Sequence, residues 1–225
     1  MAYRSSAFAG SDTGGDITAT PAGVQTDDYL AGLAIFDLTA NPPTGTTGWT
    51  ERANIDQATP DSQTGRLYDT IATGSDDYTW SYGVNNAGSL IAAWSGRNTA
   101  APRTFVQTTI DTTLNTSPIS ASFTGGTAVE GDDIAVFVSL DKDGSSDNWT
   151  FSTITGYTQR LTDNTIQFIT AHLQTQDNVS AGATGSLTST ITRNTGIAGS
   201  GYASVVVGIA AGSAGGNPPA RWFVS

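Results

Sequence analysis

Three segments of the chain are apolar at odd and even positions alike: Leu30 to Phe36, Ile134 to Leu140 and Val205 to Ile209. A strand of that kind has no polar face to turn outward, so these runs predict central strands covered on both sides. Other segments alternate. Tyr78 to Tyr82 places apolar side chains at every second position, and Arg66 to Ala72 and Thr165 to Leu173 alternate less strictly, which predicts strands with one face in a core. One further run, Ser89 to Trp94, is again strongly apolar, and the third segment sits within a longer strand from Ala203 to Ala210. Between Arg97 and Phe123, the stretch Phe105 to Ile110 predicts an edge strand. Pro102 and Pro118 bracket it, and proline cannot donate to a ladder.

These elements recur in one order. Asp27-Asp28 precedes the first apolar run and Asp37 closes it; Asp132-Asp133 and Asp141 frame the second. Gly48-Trp49-Thr50-Glu51-Arg52 then matches Gly156-Tyr157-Thr158-Gln159-Arg160. An alternating strand follows each, then a Ser/Thr-rich strand (Asp77 to Tyr82, Gly185 to Ile191), then a final apolar strand. Self-similarity of this kind predicts two internally duplicated four-strand units. Such a unit must cover its apolar face, and two facing each other enclose a core ~10 Å thick. The expected fold is all-β: an antiparallel, jelly-roll-like β-sandwich of eight or more strands. Its body spans 16–211, with half-repeats at about 16–96 and 119–211. Two separate small barrels are the alternative.

The ends read differently. Residues 1–15 are rich in Ser, Gly and Asp and are expected to form an N-terminal arm. Residues 212–225 combine a Gly/Pro linker with Ala220-Arg221-Trp222-Phe223-Val224-Ser225. An aromatic pair at the end of such a linker is costly to leave in water, so Trp222 and Phe223 are expected to dock, on the chain's own body or on a neighbouring subunit. Together with Tyr3, Phe8 and Arg221 they are the candidate partner-contact residues.

Composition agrees with strands and narrows the partners. Thr, Ser, Gly, Asn and Asp dominate the polar residues, and Lys and Glu are scarce. The net charge of −11 over 225 residues repels phosphate backbones and anionic membranes. The beginning of the sequence lacks the apolar core of a secretory signal, and no run of about 18 apolar residues predicts a membrane span. With no cysteine there is no thiolate chemistry. A chain this long buries roughly 70% of its unfolded surface and needs no metal or disulfide to hold a core.

Candidate chemistry is sparse. The single histidine, His172, falls in an alternating strand with no signal for a triad, and a zinc site of the usual kind needs a second histidine. The doublets Asp27-Asp28, Asp76-Asp77 and Asp132-Asp133 resemble glycosidase carboxylate pairs, yet all precede strands, where Asp satisfies turn backbone groups. Asp141, Asp143 and Asp147 superficially suggest a calcium loop, but Gly144 follows the second Asp directly and the closing Glu is missing; a hairpin turn at Asp143-Gly144 is the simpler reading. Trp49 and Tyr157 share a place in the repeat and read as packing residues. Trp80, Trp94 and Trp149 are the aromatic candidates for stacking on a glycan. No cofactor motif occurs, and the chain reads as not an enzyme.

The order of these motifs resembles a β-sandwich module of bacteriophage virion proteins. The resemblance spans roughly 16–211 and rests on the leader Ile17 to Val24, the acidic doublet and apolar strand, Pro42-Pro43, Gly48-Trp49-Thr50, the segment Ala72 to Trp80 and Gly156-Tyr157-Thr158. It implies a virion structural protein of the decoration or minor tail type. A capsid decoration (cement) protein is expected, contacting the major capsid protein or other virion proteins and forming a homo-oligomer. A tail fibre adhesin or carbohydrate-binding module, with a glycan as partner, is the alternative.

Overall fold

The apolar runs become the centres of two sheets. The computed structural model describes residues 2–37, 42–56, 63–74, 77–114, 117–141, 148–167, 169–194 and 200–212, and these contain strands and no helix. The first half of the chain forms β1 (Ala2–Ser11), β2 (Gly15–Ala19), β3 (Tyr29–Asp37), β4 (Thr50–Asp56), β5 (Gln63–Ile71), β6 (Tyr78–Tyr82) and β7 (Ala87–Ser95). The second half forms β8 (Arg103–Leu114), β9 (Ile119–Thr124), β10 (Thr127–Ala128), β11 (Asp133–Asp141), β12 (Trp149–Phe151), β13 (Thr158–Asp163), β14 (Ile169–Gln176), β15 (Gly182–Ala183), β16 (Ser186–Arg193) and β17 (Ser200–Ile209).

Two five-stranded antiparallel sheets, ordered β1-β7-β3-β5-β4 and β13-β14-β11-β17-β8, face each other. Between them lie Leu33, Leu67, Leu90 and Trp94 from one sheet and Phe137, Leu173, Val205 and Val207 from the other, in one continuous core. Each large sheet is covered on its outer face by a small one: β2-β6 over the first, and β12-β16-β9 over the second. The cover brings Ile17, Trp80 and Tyr82 against Phe36 and Ile91 on one side. On the other it brings Phe123, Trp149 and Ile191 against Val136, Val138 and Val206. This layering explains why β3, β11 and β17 are apolar on both parities. β6 and β16, in the outermost layers, alternate between buried and outward positions.

The expectation of four-strand units is corrected here. Each half supplies five strands to its large sheet, and two or three more to its small one. The short strands β10 and β15 pair with each other. Matching β1, β7, β3, β5, β4 to β8, β17, β11, β14, β13 gives the same sheet order in both halves. β4 packs across from β8 and β1 across from β13, so under that matching the two contacts exchange places, the pattern of an approximate two-fold.

Local geometry repeats as well. Trp49 N donates to Thr46 O and Tyr157 N to Ile154 O, both at 2.9 Å. Each turn passes through a glycine at positive φ, 85° at Gly48 and 84° at Gly156, where a Cβ is strained. β4 and β13 each bulge at an arginine: Arg52 Nε donates to Asp69 Oδ1 and Arg160 Nε to Thr175 Oγ1, both at 2.7 Å. The acidic doublets match out of step. Asp28 accepts from Gln25 N and Asp132 from Val129 N, both at 2.8 Å. Hence Asp28 is the counterpart of Asp132, and Asp27 (φ 69°) that of Gly131 (φ 86°).

The expected N-terminal arm is also revised. Ala2 to Ser11 pairs along its length with β7. Its residues are small and polar because an edge strand needs few apolar side chains, and that composition hides it in the sequence. The stretch 212–225 lies, beyond Gly212, outside the described residues.

Candidate interaction surfaces

β1 holds Tyr3 and Phe8 against the body. Tyr3 meets Trp94 edge-on with ring centroids 5.9 Å apart, and the Arg160 guanidinium stands over the Tyr3 ring, 4.2 Å from its centroid. Its hydroxyl donates to Ser6 Oγ at 2.7 Å. Phe8 lies opposite Leu90 and covers Gly88, where no side chain would fit beneath the ring. Both aromatics therefore contribute to the fold through contacts within the chain. Arg221, Trp222 and Phe223 lie outside the described residues, as do Asp143 and Asp147; of Asp141 only the backbone is described.

The residues with chemical potential are turned inward. His172 is fully buried on β14 and stacks on Phe151, the rings 3.8 Å apart and 5° from parallel. Gln174 Oε1 accepts from Ile154 N at 2.8 Å, so its amide NH2 faces Ser152 O at 3.1 Å and His172 Nε2 at 2.9 Å. Nε2 is thus an acceptor, and Nδ1 carries the proton toward Thr162 Oγ1 at 2.6 Å. Burial pushes the imidazole down to about 3. The sequence showed an alternating strand here, but β14 is buried on both faces. Its polar side chains are bonded within the protein, Thr170 to Asn164, Gln174 to Ser152, and His172 to Thr162 of β13 and to Gln174.

The carboxylates are structural partners. Asp69, buried, accepts from Tyr29 Oη at 3.2 Å and pairs with Arg52 and Arg103, the latter from the second half. Asp133 and Arg97 form a buried ion pair. Burial raises the Asp133 carboxyl and lowers the Arg97 guanidinium, against the attraction between them. Asp132 accepts from Thr104 Oγ1 at 2.9 Å. The turn reading of Asp28 and Asp132 holds; Asp76 is outside the described residues. Among the described residues no group of three or more His, Asp or Glu could hold a metal ion.

Trp80, Trp94 and Trp149 are at most 2% exposed, so none of them offers a ring to a sugar. Trp49 is half-buried and packs edge-on against Trp80 and Tyr78, at 5.1 and 5.6 Å. What remains outward is hydroxyl-rich. Thr188 and Thr190 of β16 stand opposite Ser122 and Ser120 of β9, all exposed. Thr18 and Thr79 do the same on β2 and β6, 2.6 Å apart. An open groove of about 470 Å³ runs beside β8, lined by Gln107, Thr124, Gly126, Thr127, Ala183 and Ser186. Sequence reading missed this groove, because it is assembled from β8, β9, β10 and β15, and the two short strands carry no periodic signal.

No family model matches the chain, and no curated protein does. Among solved structures, the infectious bursal disease virus VP2 subviral particle aligns over 92% of this chain and 77% of that one, at 9% identity and a TM-score of 0.16. A score that low carries no argument about fold or function.

Proposed function

We propose that the chain is a structural protein of a bacteriophage virion. In this reading it is a decoration protein that sits on the capsid, binds by protein–protein contacts and assembles with copies of itself. Its two halves descend from one duplicated unit. The observation that carries the reading is where the reactive side chains are spent. The histidine, the three tryptophans and the aspartates Asp28, Asp69, Asp132 and Asp133 are buried and serve the fold. Among the described residues the outward faces of β2, β6, β9 and β16 are rich in Ser and Thr, flat surfaces that suit contact with other proteins. The motif order of the virion module supports the same reading, since its turn residues Gly48, Asp28 and Gly156 occupy matched turns.

The test is labelling of particles. Gold-tagged antibody against the whole chain, applied to virions from the source, is expected to decorate the head at many regular positions. Label confined to the tail tip favours the adhesin alternative, and no label on intact or gently opened particles overturns the virion assignment.

A further inference from the structure

The four edges of the two large sheets are not alike. β1 is bulged at Arg4, whose guanidinium pairs with Asp28 at 2.7 Å, while Ser5 Oγ donates to Ala22 O at 2.8 Å. β4 and β13 are bulged at Arg52 and Arg160. Bulges and charged side chains are how native edges resist further pairing. β8 lacks them in its middle; β1 from Ser5 to Ala9 is as regular and uncharged, but all of those residues are half-buried, whereas β8 exposes Thr108 and Ile110. Its register shifts fall near its two ends, and Phe105 to Asp111 run regularly against β17. From Phe105 to Ile110 that stretch carries no charge, no proline and no glycine.

β8 is hydrogen-bonded to β17 on one side, and no described strand pairs with its other side. β9 passes in the neighbouring layer and reaches β8 through side chains, Thr109 Oγ1 accepting from Thr124 N at 2.9 Å. Thr108 and Ile110 are exposed, and Ile110, at 42%, is one of only two large apolar side chains so placed among the described residues.

We infer that β8 is the site at which a second copy of this chain adds, edge to edge and antiparallel, joining two five-stranded sheets into one. Two observations and the symmetry of self-pairing favour a second copy. The chain carries a net charge of −11, so like copies repel over most of their surface and approach best along an uncharged strip. A strand that pairs with itself through a two-fold axis makes every favourable contact twice. Centred on Thr108, that axis sets the exposed Ile110 of each copy directly opposite the half-buried Val106 of the other, on one face. Apolar cross-strand pairs of this kind stabilise a sheet by roughly 0.2–1 kcal/mol each. The inference does not rest on the virion reading; it holds or fails on the isolated chain.

The experiment is analytical ultracentrifugation of the whole chain from low to high micromolar concentration. A reversible dimer is expected. Thr108→Lys and Ile110→Lys place a charge on an exposed position and are expected to weaken dimerisation at least tenfold, with an unchanged melting temperature at concentrations where the wild type is monomeric. Thr188→Lys, on the outer face of β16, is the control without effect. Because the chain has no cysteine, Thr108→Cys supplies a second readout that is independent of the lysine variants' folding. Mild oxidation is expected to convert it to a covalent dimer much faster than Thr190→Cys. A wild-type chain monomeric at every concentration, a dimer indifferent to both lysine variants, or equal cross-linking at 108 and 190 overturns the inference.

Discussion

His172 illustrates how one buried side chain ties stability to pH. Its ring is neutral in the fold, fully buried, with Nε2 accepting from Gln174. Folded, it titrates near 3 because burial penalises the charged form; unfolded, it returns to about 6.5. Above 6.5 neither state binds the proton and stability is full. As pH falls from 6.5 toward 3 only the unfolded state takes it up, so stability drops by about 1.4 kcal/mol per pH unit. Urea titrations at pH 7, 6 and 5 are expected to show this slope in wild type and its loss in His172→Gln, after which only the carboxylates contribute. A second case is the Asp133–Arg97 pair, whose side chains are at most 1% exposed. Asp133→Asn removes the carboxylate paired with a buried guanidinium and is expected to cost about 3–5 kcal/mol. Replacing both with apolar residues of similar volume is expected to cost less than the single change. Close packing sets a third limit. A Cβ at Gly32 would meet the Trp80 ring at 2.6 Å, so Gly32→Ala is expected to destabilise by about 1–3 kcal/mol through overpacking, read as a lower urea midpoint.

At the scale of elements, legibility followed burial. β3, β11, β17 and β7 were visible because a strand covered on both faces must be apolar throughout, and β6 and β16 because a half-covered strand must alternate. β8 was legible as an edge from its bracketing prolines. β1 was not: it read as an arm, since its hydrogen bonds leave no periodic mark in Ser, Ala and Gly, and β13 was visible only as the matched motif ending at Arg160. β12 and β15 are too short to show a period. The aromatics illustrate the opposite error. Trp80, Trp94 and Trp149 lacked repeat counterparts and looked available for a ligand, but the second layer over each large sheet absorbs Trp80 and Trp149, and the core between the large sheets absorbs Trp94. Turn chemistry was the most transferable signal. Gly48 and Gly156 sit at the same corner with nearly the same positive φ, so Gly48→Ala and Gly156→Ala are each expected to cost roughly 1–2 kcal/mol. Gly83→Ala, at an ordinary φ in open space, is expected to be neutral or slightly stabilising. Denaturation midpoints of the three variants check this, and a marked inequality between Gly48 and Gly156 argues against equivalent corners.

The whole molecule depends on a surface that neither half can keep dry by itself. Each large sheet has two apolar faces, and the small sheet of its own half covers only one of them. The other, with Leu33, Leu67 and Trp94 on one side and Phe137, Leu173 and Val205 on the other, is covered only by the opposite half. Polar links cross the same boundary: Arg103 reaches Asp69, Arg97 reaches Asp133, and Asp12 Oδ1 accepts from Gln167 N at 2.8 Å. Separating the halves would thus expose apolar surface and leave buried charges unpaired, an outcome that makes a single cooperative unit the stable solution. The connection between them is exposed at Thr99 to Ala101, and a protease site inserted there tests the point. The cut chain is expected to remain one particle in gel filtration and to melt in one transition. The fragment ending before the cut, expressed without its partner, is expected to aggregate and to become soluble on co-expression with the other. Two fragments that stay soluble apart and melt independently would mean that each half closes its own core, contrary to the shared one described above.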